Sequence, residues 1–323
     1  MDHQLHEIAG FSTAGGEALG RAVLAYRTWG ALNPAGDNCI VLPSFFTGTH
    51  RAYASLIGPG RALDPDRWFI VATNAFGNGL SSSPSHSGEA PFPVMTLADN
   101  VRAQYDLLFG RLGVKRIALV SGWSMGAMQA YAWAALYPDR VERLLPWCGS
   151  ARCWPLNQVF IEGLLRTLEA DPTPERKAGR RAFGRSYAGW AYSADYYRNE
   201  RYRERGYSSL EAFLASWEED YVPWDWRDLV AMLETWRTAQ PERLVPGADL
   251  KSYLGRIRAR TIVMPCDQDA YFTLAESRIE ASLIPSARLE VISSDHGHVA
   301  GAPGRIPAVT AQVERALAEL LNS

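Results

Sequence analysis

Cysteine and histidine are scarce in this chain. Of 323 residues, four are cysteine (Cys39, Cys148, Cys153, Cys266) and six are histidine. The cysteines have neither the paired spacing of a disulfide framework nor that of a zinc site, which predicts free thiols and a cytoplasmic protein. No His/Cys group has ligand spacing and no glycine-rich phosphate loop is present, so neither a metal nor a nucleotide cofactor is expected. A dominant charge is missing too. The formal net charge is -2, which offers no field to hold nucleic acid or an anionic membrane surface. No apolar run approaches the ~20 residues that span a bilayer. The opening residues, Met1-Asp2-His3-Gln4-Leu5-His6, lack the basic and apolar regions of a secretory signal. Internal repeats and low-complexity tracts are absent as well. What remains is 47% hydrophobic and 21% charged, the balance of a globular protein with ample core.

One stretch organises the rest. Arg116-Ile117-Ala118-Leu119-Val120 reads as a buried strand of a parallel sheet. Gly122-Trp123-Ser124-Met125-Gly126 then fits G-x-S-x-G, and helix formers run from Ala127 to Leu136. Strand, tight turn and helix is the context of a nucleophile elbow. The turn is so sharp that side chains two residues either side of the serine would strike the crossing backbone. Glycine at 122 and 126 removes those collisions and lets Ser124 project in a strained conformation. The Met125 N–H, opening the following helix, would point at an oxyanion formed on attack by Ser124.

Around this centre the chain alternates strand and helix. Residues 5–28 read as two strands about a glycine-rich turn, and Cys39–Pro43 as a buried strand. The loop after it, Ser44-Phe45-Phe46-Thr47-Gly48-Thr49-His50, is where a second oxyanion donor belongs, so a backbone N–H of Phe45 or Phe46 is the candidate. The same loop also reads as a plain strand-to-helix turn capped by Thr47 or Thr49. Phe69–Thr73 is another strand, followed by a long polar loop to Ser87. Thr96 caps a helix from Leu97 to about Leu112, and Val141–Cys148 is a sixth strand. From about Ala151 to Leu254 the alternation gives way to charged helical patterns with six of the chain's 11 tryptophans. This reads as a helical cap inserted between two sheet strands, whose aromatics mostly fill its own core. The sheet resumes at Thr261–Pro265 and ends with Arg288–Ser293, before a closing helix from about Ile306 to Leu321. The expectation is an α/β-hydrolase fold: a mostly parallel eight-stranded sheet, helices on both faces, core segments 1–150 and 255–323, and a cap at 151–254.

A serine nucleophile needs a base and an orienting acid, which in this architecture follow in the order Ser, Asp, His. Asp269 sits just past the carboxyl end of a strand, where catalytic groups gather in open α/β sheets. His298 follows the last strand. These two are the expected acid and base, with Asp267 and His296 as rivals a residue or two away.

The residues also resemble a known family. Tyr26-Arg27-Thr28-Trp29-Gly30 with Leu32-Asn33, Phe46-Thr47-Gly48, Phe69 to Asn74, and above all Trp123-Ser124-Met125-Gly126-Ala127-Met128-Gln129-Ala130 are similar to the homoserine O-acetyltransferase family over nearly the whole length. The resemblance implies a Ser124–Asp269–His298 triad, a ping-pong acyl-enzyme, a small ester or acyl donor as substrate, and a substrate pocket drawing on Thr47, Gly48, Tyr187, Trp190 and Val299. A homodimer is compatible with it. Family transferases carry an aspartate after the catalytic histidine to bind the amino group of homoserine, and here that position is Val299. The histidine loop and Tyr187-Ala188-Gly189-Trp190 look more like a hydrolase side branch. Hydrolysis of a carboxylic ester, thioester or activated amide is therefore expected first. Acyl-CoA-dependent transfer to another alcohol stands second, and an inactive binding protein third.

Overall fold

The computed structural model describes residues 2–87 and 91–322; Met1, residues 88–90 and Ser323, which fall within the expected segments 1–150 and 255–323, lie outside them. The sheet has eight strands: β1 (Gln4–Ser12), β2 (Ala18–Trp29), β3 (Cys39–Pro43), β4 (Phe69–Thr73), β5 (Ile117–Trp123), β6 (Arg143–Trp147), β7 (Arg260–Val263) and β8 (Ala287–Leu289). Their order is β1-β2-β4-β3-β5-β6-β7-β8. β1 and β2 form an antiparallel hairpin, β2 meets β4 antiparallel, and every other pairing is parallel. β3, β4 and β5 are buried at every position, as strands covered on both faces must be.

Alternation along each strand divides the core into two layers. Ile40, Leu42, Ile70, Ala72, Leu119, Leu145 and Ile262 face one way and pack against the last helix through Val309, Val313, Leu317 and Leu320. Val41, Val71, Val120, Leu144 and Val263 face the other layer, which holds Val101, Met128 and Trp133. The helices are α1 (Leu97–Tyr105), α2 (Met125–Leu136), α3 (Pro155–Glu169), α4 (Lys177–Ala191), α5 (Ala194–Arg198), α6 (Leu210–Tyr221), α7 (Trp226–Arg237), α8 (Pro241–Leu244), α9 (Leu250–Leu254), α10 (Leu274–Ser282) and α11 (Pro307–Leu321). Thr96 opens α1 with a capping box to Asp99, and Thr273 opens α10 with one to Glu276.

Helices α3 to α9 fill the interval between β6 and β7. Their aromatics pack mainly on one another: Phe160, Phe183, Tyr196 and Trp236 are fully enclosed. Gly184 lets α4 touch α6, since a Cβ there would stand 2.2 Å from the Trp217 carbonyl oxygen.

Two elements depart from expectation. The helix expected to run to Leu112 is α-helical only to Tyr105 and then widens into a π-turn over Asp106–Arg111, which keeps both Leu107 and Leu108 buried. The last strand was expected to span Arg288–Ser293, but its regular ladder stops at Leu289. The Glu290 amide still bonds Val263, and Ile292 exchanges bonds with Pro265 and Asp267. The rung between them needs a donor from Pro265, which has no N–H.

Candidate active site

Ser124 sits between β5 and α2 at φ 58° and ψ -128°, a region costly to a residue with a side chain. The sequence tolerates the turn because of its glycines. A Cβ on Gly122 would stand 2.6 Å from the Gly126 carbonyl carbon, and one on Gly126 would stand 2.5 Å from the Pro43 oxygen. The serine is held from both sides, its amide donating to the Trp147 carbonyl at 3.1 Å and its own carbonyl accepting from Ala127 at 2.9 Å.

Two further side chains reach it from the carboxyl ends of β7 and β8. His298 Nε2 lies 3.0 Å from Ser124 Oγ, and His298 Nδ1 lies 2.7 Å from Asp269 Oδ2. The other oxygen of Asp269 accepts the amides of Tyr271 at 3.1 Å and Phe272 at 3.0 Å. Ser124 is 3%, Asp269 5% and His298 3% exposed, so this line of bonds runs nearly out of water. The imidazole is clamped by rings: Trp123 stacks on it at 4.8 Å, and Tyr271 lies 4.5 Å away. Burial keeps the Tyr271 hydroxyl well above its ordinary pKa, so it adds no charge beside the imidazole. An aligned carboxylate, imidazole and hydroxyl can carry a proton from the hydroxyl to the ring while the carboxylate balances the charge.

The rivals are bound elsewhere. Asp267 accepts from Ser293 Oγ at 2.7 Å and from the Ser294 amide at 3.1 Å, bracing the loop after β8. His296 pairs with Asp295 at 3.1 Å and packs on Tyr196.

The loop after β3 kinks at Thr47, which has φ 58°. Thr49, one of the two caps considered, accepts the Arg51 amide at 3.3 Å. Gly48 allows the kink, because a Cβ there would stand 2.5 Å from the Phe45 ring. Phe46 is buried under Phe183, Tyr187 and Trp236, whereas Phe45 packs edge-on against Trp123 at 4.5 Å. Met125 is the first residue of α2, where an amide has no intrahelical acceptor. Tyr187 is buried against Phe160, Tyr221 and Tyr271, and Trp190 packs behind it on Phe160.

A cavity of about 380 Å³ opens beside Trp123 and Val299, the immediate neighbours of Ser124 and His298. Phe45 and Thr47 also line it, and α6 supplies Trp217, Asp220 and Tyr221. Of the expected pocket residues, Thr47 and Val299 face this cavity; Gly48, Tyr187 and Trp190 are not among its lining.

Sequence reasoning missed Asp220, Arg205 and Arg305 on its rim, because nothing in a local pattern marks which helix face a fold turns inward. The Asp228 carboxylate of α7 is 3% exposed and accepts from Ser85 at 2.9 Å and 2.6 Å. Asp225 pairs with Arg227 as the cap of α7.

All four cysteines are free and buried. Among the described residues, Asp2, His3 and His50 come within 4.8 Å of one another, a grouping no sequence spacing displayed. The Asp2 carboxylate is already taken by two bonds from Arg51, at 2.6 Å and 2.9 Å. Among those residues no helix is long and apolar enough to cross a membrane.

Comparison with known proteins places the fold. The description "alpha/beta hydrolase fold" matches residues 40–158. An ethyl acetate hydrolase of Pseudomonas veronii is 34% identical over 95% of this chain and 92% of its own length. The solved structure of the acetyl esterase MekB is 33% identical and superposes with a TM-score of 0.95, covering 99% of this chain and 97% of that one. A homoserine O-acetyltransferase of Nostoc punctiforme is 29% identical over 89% of this chain and 88% of its own. The chain therefore belongs to the alpha/beta hydrolase fold family, as an enzyme of the group that holds esterases and homoserine O-acetyltransferases.

Proposed function

We propose that the protein is a serine esterase that cleaves a small carboxylic ester, thioester or activated amide through an acyl-enzyme on Ser124. The observation that carries this reading is the unbroken line from Asp269 Oδ2 through His298 to Ser124 Oγ, at 2.7 Å and 3.0 Å. Ser124 Oγ attacks the acyl carbon as its proton passes to His298 Nε2, and Asp269 holds the Nδ1 proton. The resulting oxyanion is met by the Met125 amide and by an amide of the Phe45–Phe46 pair, with Phe46 first in line. His298 returns the proton to the leaving oxygen, the acyl–oxygen bond breaks, and water repeats the sequence to free the acid. Helices α3 to α9 act as a cap. Phe46, Tyr187 and Tyr271 wall the acyl side, and Trp190 supports that wall from behind. Four buried free thiols support a reducing compartment, the cytoplasm.

The test is chemical. Ser124→Ala should fold normally and lose several orders of magnitude in acetyl-ester turnover, with residual rate from oxyanion stabilisation. A fluorophosphonate should label the wild type on the peptide holding Ser124. Equal labelling of the Ser124→Ala protein would sink the assignment.

Acyl transfer to an alcohol is the second reading, and the homoserine O-acetyltransferase among the relatives favours it. Against homoserine itself stands Val299, an apolar side chain beside the base.

A further inference from the structure

Two cationic side chains stand on the rim of the cavity beside the triad, and the catalytic reading uses neither. Arg205 is fixed: its guanidinium bonds the Tyr192 hydroxyl and lies over the rings of Tyr192, Tyr207 and Phe213 at 5.9, 5.5 and 5.8 Å. Arg305 follows the histidine loop and lines the same cavity. Both guanidinium charges act on the Tyr192 hydroxyl, so the two arginines flank one point of the rim. Asp220 is the one acid of the lining; both guanidinium charges act on its carboxylate, which leaves the rim with one positive charge in excess. The floor is apolar, made by Phe45, Trp123, Val299, Ala302 and Pro303. A cavity with this apolar floor, polar side walls and two cations against one acid at its rim fits a short carbon chain ending in a carboxylate.

The chemistry says which part of the substrate lies there. His298 protonates the departing oxygen, so the leaving group must sit on the histidine side of Ser124. That side is the wall of Val299, which follows His298 directly, and of Ala302, Pro303 and Arg305 further along the same loop. On the esterase reading the acyl side is the aromatic cluster in which the Phe46 and Tyr187 rings meet at 5.8 Å. Resting on the esterase reading, we propose that the leaving alcohol carries a carboxylate read by Arg305, with Arg205 as the second, aromatically held cation. The substrates are then acyl esters of hydroxy acids rather than of simple alcohols. The carboxylate remains solvent-facing at the mouth, so its recognition is worth a modest factor and is screened by salt.

The experiment compares acetate esters of ω-hydroxy acids, two to six carbons long, each with its isosteric carboxamide. In wild type the best carboxylate should exceed its amide in kcat/KM by about fivefold or more at low ionic strength. The margin should shrink in 0.5 M salt, about where a Debye length falls well below 8 Å. Arg305→Gln should bring the ratio close to one, while Arg305→Lys should keep most of it. Each enzyme serves as its own reference, so partial misfolding of a variant does not alter the ratio. A wild-type ratio near one, a preference for the amide, or a ratio untouched by Arg305→Gln overturns the proposal. Calorimetric binding of the free hydroxy acids and their amides to the Ser124→Ala protein reads the same preference without catalysis. Loss of all turnover with the binding preference intact would count against the esterase reading alone.

Discussion

The indole Nε1 of Trp154 donates to Glu280 Oε1 at 2.7 Å, tying the residue that caps α3 to the helix that follows the Asp269 loop. The same oxygen accepts the Ala151 amide at 2.9 Å, while Glu280 Oε2 and the hydroxyls of Tyr131 and Tyr253 have no hydrogen-bond partner among the described residues. Burial therefore dominates, and it pushes the Glu280 carboxyl up to about 8, against the two bonds that favour its charged form.

A pH-dependent stability follows from that junction. The folded-state pKa lies above the unfolded one, so the stabilising contribution is complete below about 4.5 and is lost as pH rises toward about 8. Glu280→Gln keeps an acceptor for Trp154 and Ala151 and removes the titration. Thermal melts from pH 5 to 9 should fall with pH in wild type and flatten in the variant. At pH 9 the variant should be the more stable by an amount on the order of a few kcal/mol. Parallel melting curves for the two proteins would refute the account.

The proposed acid and base can be told from their neighbours by substitution. Asp269→Asn and His298→Ala should each cost roughly three to six orders of magnitude in kcat, and their effects should not add, because the triad acts as one unit. Asp267→Asn and His296→Ala should leave turnover near wild type, since both parent side chains are bonded to the loop after β8 and to Asp295. A crippling His296→Ala would mean that the histidine loop adopts another register.

Glycine substitutions should split by location. Gly126→Ala drives a methyl to 2.5 Å from the Pro43 oxygen and 2.8 Å from the Tyr53 hydroxyl, so the elbow must deform. A loss of about 2 kcal/mol or more is expected. Gly163→Ala and Gly189→Ala place a methyl in open space on α3 and α4 and should gain up to about 1 kcal/mol each. Denaturant midpoints of the three variants decide this, and a destabilised Gly189→Ala would contradict the open-space placement.

Homoserine should be a poor acceptor. Val299 is only 7% exposed beside His298, and a buried ammonium without a carboxylate partner costs several kcal/mol. The acid that does reach the cavity, Asp220, comes from α6 on the cap side and shares the rim with two arginines. Acetyl-CoA turnover should therefore not rise when homoserine is added. O-Acetylhomoserine detected by mass at a large homoserine-dependent rate would return the protein to the transferases.

Much of the site was legible because its demands are local. Gly122, Ser124 and Gly126 announce the elbow through backbone crowding, which depends only on residues a few positions apart. The apolar runs of β3, β4 and β5 reveal a doubly covered parallel sheet, since no polar alternation could survive burial on both faces. That Asp269 and His298 would come together beside Ser124 was readable from their places after two strands, because such a sheet gathers side chains at its carboxyl ends. What only the tertiary structure decided was the choice among near neighbours and the lining of the cavity. The choice of Asp269 over Asp267 depends on which carboxylate the turn aims at His298 and which it gives to Ser293. The burial of Asp228 depends on Ser85, 143 residues away in sequence. Arg205, Asp220 and Arg305 meet at one rim only because helices of the insertion fold back over the loop that carries His298. Helical periodicity tells that a face is buried; it does not tell against what, and that partner is set by long-range packing.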